Sequence, residues 1–136
     1  MTERRVLIVD DSLLMRTVIR DIVSADEDFV IVGEAVDGID AVEKAAALRP
    51  DIILLDIEMP RLDGLGALKQ LRLSSVATVI VVSSAAQLGS PQAVEARRLG
   101  AADVIAKPSG ALSLDLKARR GHAIVLAMRH ACGMDT

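Results

Sequence analysis

The sequence predicts an α/β fold: a five-stranded parallel sheet with helices on both faces. Short apolar runs recur at Val6 to Val9, Phe29 to Val32, Ile52 to Leu55, Val79 to Val82 and Val104 to Ala106. The runs show no polar alternation, as expected of strands buried on both sides. The segments between them carry apolar residues at helical spacing, so strands and helices alternate. Strands joined by right-handed helical crossovers lie parallel, with helices above and below the sheet.

The first run follows a charged head, Glu3-Arg4-Arg5, and ends at two acids. Four apolar residues make a strand; they are too few for a signal peptide or a membrane span. Leu14, Val18 and Ile22 then fall at i, i+4 and i+8, predicting a helix from about Ser12 to Ser24 with those three facing inward. The second helix runs from about Ile39 to Leu48, behind Asp37-Gly38 and ahead of Pro50, with Ala41, Val42, Ala45 and Leu48 facing in. A third follows Gly64 and turns Leu65, Leu68 and Leu71 to the sheet. The fourth is marked by its punctuation: Ser90 as cap, Pro91 at the first helical position and Gly100 just past the end. In the fifth, Ile124, Leu126 to Met128 and Ala131 read as helix, Gly121 interrupts the pattern, and the start falls anywhere from Ser113 to His122.

Composition narrows the function. The chain of 136 residues suits one domain, 1–136 with a core from about Arg5 to Ala131. Half the residues are apolar, but Phe29 is the only aromatic, so the core is aliphatic and no platform exists for stacking bases. The net charge of −3 also disfavours nucleic acid; Lys117, Arg119, Arg120 and Arg129 read as a solvated helix face. Cys132 stands alone, which excludes an internal disulfide and points to a reducing compartment.

The chemistry lies where the strands end. The first delivers Asp10-Asp11, the third Asp56, the fourth Ser83-Ser84 and the fifth Lys107-Pro108; only the second, ending near Glu34 and Ala35, brings no obvious candidate. Parallel sheets place their sites just beyond the carboxyl ends of the strands, and in the doubly wound order 2-1-3-4-5 the first and third strands lie side by side at the switch point. Three acids, a hydroxyl and an ammonium then converge on one rim. Crowded carboxylates repel unless a cation intervenes. Mg²⁺ suits them, because it takes hard oxygen ligands and binds through one or two carboxylates plus phosphate oxygens. An aspartate beside it is a plausible nucleophile, since aspartyl phosphates are recognised intermediates. Lys107 and the Ser83 hydroxyl would supply charge and hydrogen bonds to the phosphoryl oxygens.

The motifs VDDS (Val9 to Ser12), LLDIEMPRLDG (Leu54 to Gly64), VVSSA (Val81 to Ala85) and Lys107-Pro108 resemble the receiver domains of bacterial two-component response regulators, from about Arg5 to Ala131. That resemblance implies a flavodoxin-like (βα)5 three-layer sandwich with strand order 2-1-3-4-5. It implies that Asp56 accepts a phosphoryl group and that Asp11, Asp56 and the backbone carbonyl of Glu58 hold Mg²⁺, with Asp10 acting through water. It further implies that Ser83 and Lys107 contact the phosphoryl oxygens, and that the Lys107–Pro108 peptide is cis. Glu58-Met59-Pro60-Arg61, Ser83-Ser84 and KPSGALSLDL (Lys107 to Leu116) are similar to the receivers of chemotaxis methylesterases of the CheB type. The implied partners are a CheA-like histidine kinase and a methylesterase effector domain, in the cytoplasm, with no nucleic acid and no membrane insertion. No G-x-S-x-G elbow is present, so the effector is expected to be absent and the chain to have no enzyme activity beyond its own phosphorylation and dephosphorylation. The alternative is a stand-alone, diffusible regulator of the CheY type.

Two positions depart from the pattern. Val104 stands where receivers carry Tyr or Phe, three residues before the lysine, and Glu58 adds a carboxylate two residues after the acceptor. A haloacid-dehalogenase-type phosphatase also uses an aspartate, a hydroxyl, a lysine and Mg²⁺, but it wants D-x-D, where this chain has Asp56-Ile57-Glu58, and its acidic pair follows the nucleophile. No G-x-G-x-x-G follows the first strand, which excludes a dinucleotide-binding module.

Overall fold

The computed structural model describes residues 3–59, 62–83, 90–106 and 121–134. Five strands, β1 (Arg4–Val9), β2 (Phe29–Ala35), β3 (Ile52–Leu55), β4 (Thr78–Ser83) and β5 (Asp103–Ala106), form one parallel sheet in the order β2-β1-β3-β4-β5. Between them run α1 (Leu13–Ser24), α2 (Gly38–Leu48), α3 (Gly64–Ser74) and α4 (Pro91–Arg98); α5 (Gly121–Ala131) follows β5. The expected fold and strand order are both observed.

Successive strand residues point to opposite faces, so each apolar run supplies two cores at once. Val6, Ile8, Ile52, Leu54, Ile80 and Val82 meet Val18, Ile19, Ile22 and Val23 of α1 and Ile124, Ala127 and Met128 of α5. Leu7, Val9, Ile53, Leu55, Val79 and Val81 meet Ala41 and Ala45 of α2, Ala67, Leu68 and Leu71 of α3, and Ala96 of α4. Burying each Val, Leu or Ile side chain contributes roughly 1.5–3 kcal/mol, so the central strands dominate the stability.

The caps follow the local sequence. Ser12, Asp37, Asp63 and Ser90 each accept a backbone amide from the first turn of α1, α2, α3 and α4 respectively. Gly100, at φ 108°, takes the left-handed position after α4 that favours glycine.

Leu14 corrects the sequence reading: it is 52% exposed, whereas Val18 and Ile22 are buried. Each step of four residues overshoots a full turn by about 40°. Stepping back from Val18 therefore carries Leu14 off the stripe, whose axis is Met15, Ile19 and Ile22, with Met15 packed against the core. β2 is also longer than its apolar run, and Gly121 is the first described residue of α5, so the part of the expected start range before it lies outside the described residues.

β2 contains a register shift. Ile31 pairs with Val6, but Gly33 pairs with Leu7, so Val32 is passed over. A bulge of this kind rotates every later side chain to the other face. Glu34 thereby opposes Ile8 and faces α1, where an unbroken ladder would have aimed it at α2.

Candidate functional site at the carboxyl rim of the sheet

The register of β1 against β3 builds the site. Val9 lies opposite Leu55, so the next residues, Asp10 and Asp56, leave the sheet side by side. The ladder extends one step past the strands: the Asp56 amide donates to the Val9 carbonyl at 2.9 Å, and the Asp10 amide donates to the Ala35 carbonyl at 3.1 Å. Carboxylate oxygens of Asp10, Asp11 and Asp56 come within 4.8 Å of one another. Asp10 and Asp56 are buried at 1% and 7% exposure, and Asp11 is exposed. An all-carboxylate donor set of this kind suits a hard divalent cation, and the repulsion among its members is relieved by one.

The two loops are held differently. On the β1–α1 turn, Asp10 Oδ1 accepts the Ser12 amide at 2.9 Å, and Ser12 Oγ accepts the Met15 amide at 3.2 Å, so the acidic pair leads directly into the helix cap. After β3, the Glu58 amide reaches Asp56 Oδ1 at only 3.4 Å, a long contact. The β3–α3 turn is closed from the other side, where the Gly64 amide donates to the Ile57 carbonyl at 2.7 Å. The β2–α2 turn joins it through the Gly38 amide, which donates to the Leu62 carbonyl at 2.8 Å. A Cβ at Gly38 would stand 2.0 Å from that oxygen, so only glycine permits the approach. The Glu58 side chain is exposed.

Of the remaining sequence candidates, Ser83 is the last residue of β4, two positions beyond Val81, which opposes Leu55. Its backbone therefore belongs to the same rim, opposite Ala106. Lys107, the expected cis bond to Pro108 and the loop 84–89 lie outside the described residues. Val104 is partly buried and packs against the core on the α2, α3 and α4 side.

Three basic residues around Glu34 went unnoticed in the sequence. Arg16 donates from Nη1 to the carbonyl oxygen of Asp10 at 2.8 Å and from Nε to Glu34 Oε1 at 2.9 Å. Arg20 Nε donates to Glu34 Oε2 at 2.8 Å, and Lys44 donates to the Glu34 carbonyl. Burial pushes the Glu34 carboxyl up, but the hydrogen bonds and charges of Arg20 and Arg16 together outweigh it and hold the group below its ordinary range. Gly33, inside a strand pattern, was the available signal, because such a glycine often marks a bulge.

The comparisons with known proteins agree with this geometry. Residues 6–119 match the family model of the response regulator receiver domain. The chain belongs to that family. It is 47% identical over 116 residues to a protein-glutamate methylesterase/protein-glutamine glutaminase of Syntrophomonas wolfei, covering 85% of this chain and 33% of that protein. The chain thus spans about a third of the length of the curated relatives it matches. Among solved structures it resembles the response regulator domain of Thermotoga maritima CheB, with a TM-score of 0.92, 43% identity and coverage of 98% and 99% of the two chains. It also resembles a chain of the CheX-CheY-BeF3-Mg complex of Borrelia burgdorferi (TM-score 0.77, 30% identity, 95% and 89% covered). A third likeness is to a chain of the complex of the CheA3 P1 domain with CheY6 from R. sphaeroides (TM-score 0.72, 40% identity, 93% and 99% covered). The chain is accordingly a receiver domain similar to those of CheB-type chemotaxis regulators.

Proposed function

We propose that Asp56 takes a phosphoryl group from the phosphohistidine of a CheA-like kinase, or from a small acyl phosphate, and that Mg²⁺ assists. The observation that carries this reading is the convergence of the Asp10, Asp11 and Asp56 carboxylates within 4.8 Å at the end of the buried β3 strand. An Asp56 carboxylate oxygen attacks phosphorus, an O–P bond forms, the donor's P–N or P–O bond breaks, and the leaving group departs with the electron pair. When bound, Mg²⁺ supplies charge neutralisation for the phosphoryl oxygens. Asp11, Asp56 and the Glu58 carbonyl are its direct ligands in this reading, with Asp10 acting through water. Ser83 and Lys107 serve the phosphoryl oxygens from the β4 and β5 side. Glu58 hinders the attacking water or competes for the ion, since a charge so close is poorly screened.

The relatives' length supports a second step: phosphorylation of this domain regulates a methylesterase domain of the same protein, in the cytoplasm. The phosphoacceptor assignment is tested by incubation with acetyl phosphate and Mg²⁺ followed by intact mass measurement. One phosphoryl mass is expected, absent in Asp56→Asn; labelling that persists in that variant overturns the assignment.

A further inference from the structure

We propose that Arg16 is a positioning residue for the metal site, acting through the backbone of the β1–α1 turn; the inference rests on the Mg²⁺ reading above. Arg16 is placed on α1, one turn after the Ser12 cap, and its guanidinium spans two elements. Nη1 grips the carbonyl oxygen of Asp10, the residue between the end of β1 and Asp11, and Nε is bound to the Glu34 carboxylate on β2. The side chains are well covered, at 13% and 23% exposure. Glu34 can receive it only because the shift between Val6 and Leu7 turns this part of β2 toward α1.

The Asp10 amide is already fixed to the Ala35 carbonyl, and its Oδ1 to the Ser12 amide. The Arg16 bond fixes the carbonyl of the same residue and so defines the peptide plane from which Asp11 projects. Asp11 is exposed, so its carboxylate takes its position chiefly from that plane. Groups that orient metal ligands typically change affinity by about 10–100-fold when removed.

A purely electrostatic role would act in the opposite direction. A cation beside three carboxylates lowers their attraction for Mg²⁺, and removing it would strengthen binding. The Glu34 carboxylate, which Arg16 shares with Arg20, offsets part of the guanidinium charge at contact distance, so the repulsive field is reduced and the geometric effect dominates.

The two effects are separated by titrating Mg²⁺ calorimetrically, or Mn²⁺ by electron paramagnetic resonance, because the chain has no Trp or Tyr to report binding. Wild-type protein that binds neither ion overturns the Mg²⁺ reading itself. Given wild-type binding, Arg16→Gln should weaken it about tenfold. The charge-neutral double variant Arg16→Gln/Glu34→Gln should stay weakened to a similar degree. Tighter binding in Arg16→Gln, or a double variant within about twofold of wild type, would show that charge and not the bond to the Asp10 carbonyl governs affinity and overturn the proposal. Arg16→Lys, which keeps the charge but not the fork that reaches both partners, should also lose affinity. Wild-type affinity in Arg16→Lys would overturn the proposal even if the glutamine variants failed to fold. Arg129→Gln, which breaks the partly buried bridge to Asp26 and Asp28, controls for stability and should leave ion affinity unchanged.

Discussion

A Cβ built on Gly64 would stand 2.1 Å from the carbonyl oxygen of Asp56 and 2.4 Å from Cα of Ile57. Helix α3 therefore begins in direct backbone contact with the residue proposed to take the phosphoryl group. The obstacle is main chain, so no side-chain adjustment relieves it. Gly64→Ala should destabilise the fold by about 1–3 kcal/mol, the usual cost of overpacking, and slow phosphorylation by acetyl phosphate through displacement of the β3–α3 turn. Urea denaturation followed by circular dichroism measures the first, and intact mass against time the second. Wild-type values for both would refute the role assigned to this contact.

The strands were legible in the sequence because each is a short apolar run, rich in β-branched residues or Leu, with no polar alternation. Capping by Ser90 and the turn at Gly100 were legible because their chemistry is local. The convergence of Asp10, Asp11 and Asp56 could be inferred only after the strand order was assumed, since nothing within fifteen residues of Asp56 points to Asp10. The role of Glu34 was legible only as far as Gly33 hinted at a bulge, because the bulge itself depends on how β2 meets β1, and a single passed-over residue reverses which face a side chain takes. Leu14 misled for a local reason: two matches at four-residue spacing do not fix the axis of a helical stripe.

Asp11 and Asp10 should differ in their effect on the metal. Asp10 is almost fully buried and its Oδ1 already accepts the Ser12 amide, whereas Asp11 is the exposed member of the cluster. Asp11→Ala should therefore lose more Mg²⁺ affinity than Asp10→Ala, in keeping with direct and water-mediated roles. Calorimetric titration of both variants decides the order, and a larger loss for Asp10→Ala reverses it.

Phosphorylation converts the Asp56 carboxylate into a group with about two negative charges and three strong acceptor oxygens at the rim. The effect should spread along β4 to β5, because Ser83 and Ala106 pair at the last rung of the sheet. Val104 is smaller than the aromatic common at its position and is packed into the core, so we expect the change in β5 without rotation of a side chain at this site. Amide exchange with and without beryllium fluoride and Mg²⁺ should differ at residues 83, 90–94 and 104–106, and Ser83→Ala should diminish the difference. Changes confined to residues 56–59 would exclude this route.

Glu34 should give the fold a distinct acid dependence. Burial raises its carboxyl, but Arg20 and Arg16 hold the net value below the ordinary 4.5, so the folded state takes up the proton less readily than the unfolded chain does. A group depressed in this way contributes stability that is fully present above the unfolded value and is lost as pH falls through the folded one. Its contribution should therefore be constant from neutral pH down to about 4.5 and decline below that. Arg20 is nearly half exposed, so part of the effect is screened and should shrink in high salt. Arg16 is well covered and its share should persist. Urea midpoints measured at successive pH values from neutrality into the acid range should show a shallower acid decline in Glu34→Gln than in the wild type, together with lower stability at neutral pH. Parallel curves below pH 4.5 would show that the ion pairs around Glu34 contribute nothing to acid sensitivity.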